Sequence, residues 1–143
     1  MHVTNWLRNA CLVLFVALAS LGVHAEDGAV YHVNDSAAQA LSALRNVRNH
    51  LDVAPTTKIV VVTHAQGVDF LMEGARDEKS KTEFAPLVSA LKARGVKFEI
   101  CEITLKNRNL KKEQFIQEAD YTPSGVVRIA TLQSRERYGY VKP

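Results

Sequence analysis

The chain carries two thiols in very different company. Cys11 lies within an apolar run from Ala10 to Val23. Cys101 ends the segment Val96-Lys97-Phe98-Glu99-Ile100-Cys101, just ahead of Thr104 and the cations Lys106, Arg108, Lys111 and Lys112. A thiol attacks sulfur only as the thiolate, and a free cysteine has a pKa of about 8.5. Two features of the sequence around Cys101 act to lower it. The turn after the segment presents the backbone N–H groups of Ile103 and Thr104, as a helix N-terminus would, and the neighbouring cations add positive potential. Such a thiolate takes a sulfane sulfur from a donor, holds it as a persulfide and gives it to a second thiolate, as in thiol–disulfide exchange. That chemistry calls for no metal and no organic cofactor. A second reading stands beside it: free cysteine is among the most buried residue types and serves as a small core hydrophobe.

The elements that must position Cys101 follow from hydrophobic periodicity. Ala29 to Val33 reads as a short strand, and Asn34 or Asp35 as the N-cap of a helix carrying Ala37, Leu41, Leu44, Val47 and Leu51 on one face. Lys58 to Thr63 is a continuous apolar run, as expected of a strand covered on both faces. Residues 74–83 are polar and read as a surface loop. Phe84, Leu87, Val88 and Leu91 mark a second helix that stops near Gly95, and Val96 to Cys101 is the third strand. Thr104 to Asn109 reads as a short polar connection, and Lys111 to Ala119 as a helical turn or two with Phe115 and Ile116 inward. Asp120 to Thr122 is a brief strand. Val126 to Arg135 fits a strand or a helix by pattern; its length and charged tail favour a helix, with Ser124 as N-cap. Tyr138 to Val141 closes the chain as a strand. The expected fold is therefore α/β, with three layers and a mainly parallel sheet of about five strands flanked by helices. Ligands of such sheets bind beyond the carboxyl ends of the strands. That rule singles out Asn34, His64, Cys101 and Ser124.

The N-terminal stretch bears on the compartment. Arg8 closes a short polar region, the apolar run follows, and Val23-His24-Ala25 precedes Glu26 and Asp27. This is the layout of a cleavable secretory signal over residues 1–25, and the run is shorter than the roughly 20 residues of a membrane span. The expected mature domain is then residues 26–143, periplasmic, with no membrane attachment. Removal of Cys11 leaves Cys101 without an internal partner, which rules out both an internal disulfide and a zinc site of cysteine pairs. Eighteen Lys and Arg against fifteen Asp and Glu give a net charge of +3, and no basic stripe with interleaved aromatics marks a nucleic-acid binder. Phosphate-loop and hydrolase-elbow patterns are absent from the sequence.

Four stretches resemble the DsrE/DsrF-like family of sulfur-relay proteins. They are Tyr31-His32-Val33-Asn34-Asp35; Val60 to Leu71 with His64-Ala65-Gln66-Gly67; Gly95 to Cys101 with Thr104-Leu105; and Pro123 to Gln133 ahead of Tyr138 to Pro143. The resemblance spans residues 29–143. It implies a compact α/β fold that assembles as oligomers, commonly trimers or hexamers. In the family's sulfurtransferases, the TusD branch included, a cysteine after the third strand carries the persulfide, and Cys101 falls on that position. The chain departs from the family in its export signal, and in having His64-Ala65-Gln66-Gly67 where the single-subunit branch often has His-Gly-x-Gly.

These readings make Cys101 the candidate catalytic residue, with His64, Asn34, Gly67, Thr104 and Ser124 as candidate binding residues. The expected partners are a sulfur donor or acceptor protein and further copies of the chain. A non-enzymatic oligomeric module that binds a small ligand or a protein is the alternative, and a redox sensor working through a Cys101–Cys101 disulfide is a third reading.

Overall fold

The computed structural model describes residues 27–143, so the expected signal over residues 1–25 lies outside the described residues. Strand β1 (Gly28–Asp35) leads into helix α1 (Ser36–Val53), and β2 (Lys58–Gln66) into a 3-10 turn at Asp69–Leu71. Helix α2 (Phe84–Lys92), β3 (Lys97–Cys101) and α3 (Glu102–Arg108) follow. A second 3-10 turn (Lys112–Gln114), β4 (Asp120–Thr122), α4 (Gly125–Ser134) and β5 (Gly139–Val141) complete the order. The sheet runs β4-β3-β2-β1-β5, and every pairing is parallel. No helix among the described residues is long and apolar enough to cross a membrane.

Alternation along the central strands sorts the core into two parts, because successive side chains point to opposite faces. Ala29, Tyr31 and Val33, Ile59 and Val61, and Phe98 and Ile100 join the larger apolar cluster with Ala40, Leu44, Val47 and Leu51 of α1 and Val88 and Leu91 of α2. Val30, Val60 and Val62 face the other way, onto Ile129 and Leu132 of α4. The same parity puts His32, His64, Glu99 and Cys101 on the α4 face. Glu99 receives two hydrogen bonds from the Arg128 guanidinium of α4, at 2.8 and 3.2 Å, so the charge in this buried row is paired.

Helix boundaries follow the expected chemistry. Asp35 caps α1, its carboxylate accepting from the Ala38 N–H at 3.0 Å, and Ser124 caps α4, its hydroxyl accepting from the Val127 N–H at 3.4 Å. Past α2, Gly95 takes a φ of +90°, open to glycine without strain. The structure departs from the sequence reading in three places. The polar connection expected over Thr104–Asn109 is helical: α3 starts directly at Cys101, buries Leu105 and stops at Asn109 in the left-handed conformation. The turns expected over Lys111–Ala119 shrink to one 3-10 turn, although Phe115 and Ile116 do point inward; the Ile116 N–H is drawn off to the Leu71 carbonyl. Strands β1 and β2 also run further than expected, so Asn34 and His64 lie within them. Their pairing slips between Val33 and Asp35, where β2 carries an extra residue.

Candidate functional site

Cys101 is the last residue of β3 and the N-cap of α3, and is 5 % exposed. It is the one buried apolar residue among those described that belongs to neither hydrophobic cluster. Its surroundings are backbone amides. Burial pushes the thiol up, but N–H groups of Gly125, Thr104 and Ile103, together with the Thr104 hydroxyl, donate to the sulfur and hold it below the ordinary cysteine range. Two helix starts thus converge on one atom: α3 supplies Ile103 and Thr104, and α4 supplies Gly125. The Thr104 hydroxyl is oriented in turn, because its oxygen accepts from the Ala65 N–H at 3.0 Å and leaves its hydrogen for the sulfur.

Glycine at position 125 is what lets α4 come so close. A Cβ there would stand 3.3 Å from Cβ of Cys101 and 3.4 Å from Cβ of His64. Beyond the sulfur opens a cleft of about 440 Å³, lined by His64, Cys101, Ile103, Thr104, Ser124 and Val126 among others. Four of the six residues singled out from the sequence therefore share one cleft. Asn34 and Gly67 stand outside its lining. The Asn34 amide oxygen accepts from Lys142, and Gly67 lets the chain pass β1, since a Cβ on it would fall 2.1 Å from the Val33 carbonyl oxygen. Ala65 adopts a positive φ of 52°, a left-handed conformation that residues with a Cβ rarely take. That conformation is held by Thr104 on its N–H and by Arg108, which donates to its carbonyl at 2.9 Å.

The cations after Cys101 act differently from the sequence reading. Arg108 forms a fork with Asp69 at 2.6 and 3.2 Å, and Lys112 pairs with Glu102 at 2.6 Å. The thiol is made acidic by aimed hydrogen bonds rather than by this run of charge.

Two residues that sequence reasoning missed, His32 and Tyr140, complete a polar row beside the cleft. Nε2 of His32 is 2.6 Å from Nε2 of His64, the ring planes are inclined by 30° with centroids 4.8 Å apart, and Nδ1 of His32 is 2.7 Å from the Tyr140 hydroxyl. Burial, then Lys142, then His64 push His32 down to about 4. Burial and Lys142 also lower His64. Both imidazoles are therefore neutral at pH 7. The signal available in the sequence was parity: His32 follows Val30, and His64 follows Val60 and Val62, at even spacing along neighbouring strands.

Among solved structures, the chain is similar to a protein of unknown function, MTH1491 from Methanobacterium thermoautotrophicum. The two are 27% identical, the match covers 82% of this chain and 100% of that one, and the TM-score is 0.72. The fold is also that of the ychN protein from E. coli, at 12% identity over 82% of this chain and 99% of the other, with a TM-score of 0.68. No curated protein matches the chain. The sequence pattern of the DsrE/DsrF-like family matches residues 17–143, and by that match, which takes in every element described above, the chain belongs to the DsrE/DsrF-like family.

Proposed function

We propose that this protein is a periplasmic sulfane-sulfur carrier or sulfurtransferase that holds its cargo as a persulfide on Cys101. The observation that carries the reading is the set of donors around one sulfur: three backbone N–H groups and the Thr104 hydroxyl, at the floor of an open cleft. Donors aimed at a thiolate also favour a persulfide anion in its place, because both are soft anions that accept from N–H and O–H. The two neutral imidazoles beside the cleft add polar character without a competing charge. Membership of a sulfur-relay family supports the same chemistry.

The rim of the cleft favours protein partners. Ile103 is 50 % exposed and Val126 64 %, so apolar side chains frame the opening to Cys101, and Val127, 63 % exposed, follows Val126 on α4. Large apolar groups gathered at a site mark a contact surface. In this reading the rim docks the sulfur donor or acceptor, or a further copy of the chain in a homo-oligomer. A non-enzymatic binding module is the alternative that the same rim supports.

The test is mass spectrometry of residues 26–143 after treatment with polysulfide. One added sulfur on Cys101, reversed by a reducing thiol and absent from Cys101→Ser, is the expected result. Protein left unmodified under conditions that load a known carrier leaves the binding module as the better reading. Cell fractionation tests the compartment: recovery of the chain with its first 25 residues intact in the cytoplasm contradicts export.

A further inference from the structure

Tyr140, His32 and His64 lie on three neighbouring parallel strands, β5, β1 and β2, on the face covered by α4. A neutral imidazole has one donor and one acceptor nitrogen, so the row is an unbroken hydrogen-bonded chain that can run in either sense. In one sense Tyr140 donates to Nδ1 of His32, Nε2–H of His32 donates to Nε2 of His64, and Nδ1 of His64 carries a hydrogen. In the other, each proton has moved one place towards His64, whose Nδ1 is bare. The outer end is Tyr140, 44 % exposed on the edge strand. The inner end is His64, which lines the Cys101 cleft and flanks Gly125 together with Cys101.

We infer that Tyr140, His32 and His64 form a proton relay between solvent at the β5 edge and the Cys101 cleft. The inference rests on the reading of Cys101 as a sulfur acceptor and adds the acid and base that transfer requires. In loading, the Cys101 thiolate attacks the outer sulfur of a persulfide R–S–SH. The Sγ–S bond forms, the donor's S–S bond breaks, and R–S⁻ leaves with the electron pair and takes the proton from Nδ1 of His64. His64 is refilled at Nε2 from His32, His32 from Tyr140, and Tyr140 from water. Unloading reverses the flow. Nδ1 of His64 takes the proton of an acceptor thiol R′–SH, R′–S⁻ attacks the outer sulfur, and the Cys101 thiolate departs. The sulfane sulfur keeps its oxidation level throughout, so no oxidant or reductant enters.

The surroundings suit this role. A protonated imidazole has no acceptor nitrogen and would block the chain; burial and the Lys142 ammonium keep both rings neutral near pH 7. Asp35 faces Lys142, and on the α4 side the charges are the Glu99–Arg128–Glu136 group, whose members are paired with one another. In the cleft itself the titratable neighbours of His64 are Cys101 and Arg108, the latter paired with Asp69.

The test measures the rate of Cys101 loading by glutathione persulfide across pH, in H2O and in D2O, for the wild type, His32→Gln and Tyr140→Phe. Alkylation by iodoacetamide is followed in parallel, since iodide leaves without a proton. Acid–base groups contribute about 10²–10⁴-fold, so cutting the relay while keeping His64 is expected to slow loading by about 10-fold or more and to change the solvent isotope effect. Tyr140→Phe, on the exposed edge, is expected to give a smaller loss of the same kind, with alkylation unchanged in both variants. Loading that matches the wild type at every pH in both variants overturns the relay, as does an equal fall in loading and alkylation. A wild-type protein that is alkylated but never loaded is a different result, and overturns the sulfur reading together with the relay.

Discussion

Replacing Thr104 by valine removes one donor to the Cys101 sulfur with little change of shape. A hydrogen bond to an ionised group contributes about 1.5–3 kcal/mol. The backbone N–H groups of Gly125, Ile103 and residue 104 still hold the sulfur in the variant, so the lower end applies, and about 1.4 kcal/mol makes a ten-fold change in the thiolate fraction wherever the pH lies below both pKa values. Reactivity falls by less than that, because a more basic thiolate is a better nucleophile, with a Brønsted slope of about 0.4–0.5. A ten-fold loss of thiolate is then offset by about a threefold gain per thiolate, leaving Thr104→Val about threefold slower below both pKa values. Well above both pKa values, where each protein is fully ionised, the variant becomes the faster one by about threefold. The two pH–rate profiles for reaction with an aromatic disulfide must therefore cross. Thr104→Ser keeps the hydroxyl and is expected to follow the wild type. The Ala65 N–H loses its acceptor in the valine variant, so a stability loss of about 1–3 kcal/mol accompanies the change and is read separately by thermal melting. Superimposable profiles for wild type and Thr104→Val would refute the account of the thiol given above.

Three further outcomes follow from the backbone and the histidine row. Gly67→Ala places a Cβ 2.1 Å from the Val33 carbonyl oxygen, and the backbone must move; a loss of about 3 kcal/mol is expected in urea unfolding, and a variant within about 0.5 kcal/mol of the wild type would contradict the close approach. Ala65→Gly relieves a left-handed alanine worth about 1–2 kcal/mol against a glycine entropy cost of about 0.5–1 kcal/mol, so the urea midpoint should rise slightly at constant m. His32 titrates near 6.5 when unfolded and at about 4 when folded, so the unfolded chain binds the extra proton between those values. Its contribution to stability is fully present above about pH 6.5 and is lost as pH falls towards 4, by about 1–2 kcal/mol once solvent screening is allowed for. His32→Gln should flatten that part of the stability–pH curve, and an unchanged slope would count against a buried neutral imidazole.

Much of the fold was legible because it is written in patterns of period two and period 3.6. The run Lys58–Thr63 announced a strand buried on both faces, and Asp35 and Ser124 announced helix starts that the structure places at those residues. Helix α3 escaped because only Leu105 of its seven residues is strongly apolar and buried, too little for periodicity to register. It begins where β3 ends at Cys101, and its end residues pair outside the helix, Glu102 with Lys112 and Arg108 with the distant Asp69. The cleft was half legible. Strand ends pointed to His64, Cys101 and Ser124, whereas the donation from Gly125 and the contact of His32 with Tyr140, separated by 108 residues, depend on register between strands that no local pattern encodes. Asn34 and Gly67 stood out by position, and their contacts are those of the scaffold around β1.

The larger cluster braces two helices, but α4 stands almost alone on its side of the sheet, resting on Ile129, Leu132 and the Arg128–Glu99 pair. Its first residue is Gly125, and through that amide the helix reaches Cys101. The reactivity of the sulfur is therefore tied to the seating of a helix that rests on few side chains. Whatever presses on Val126 and Val127 from outside presses on that amide as well, so under the proposed function docking and sulfur transfer share a single mechanical element.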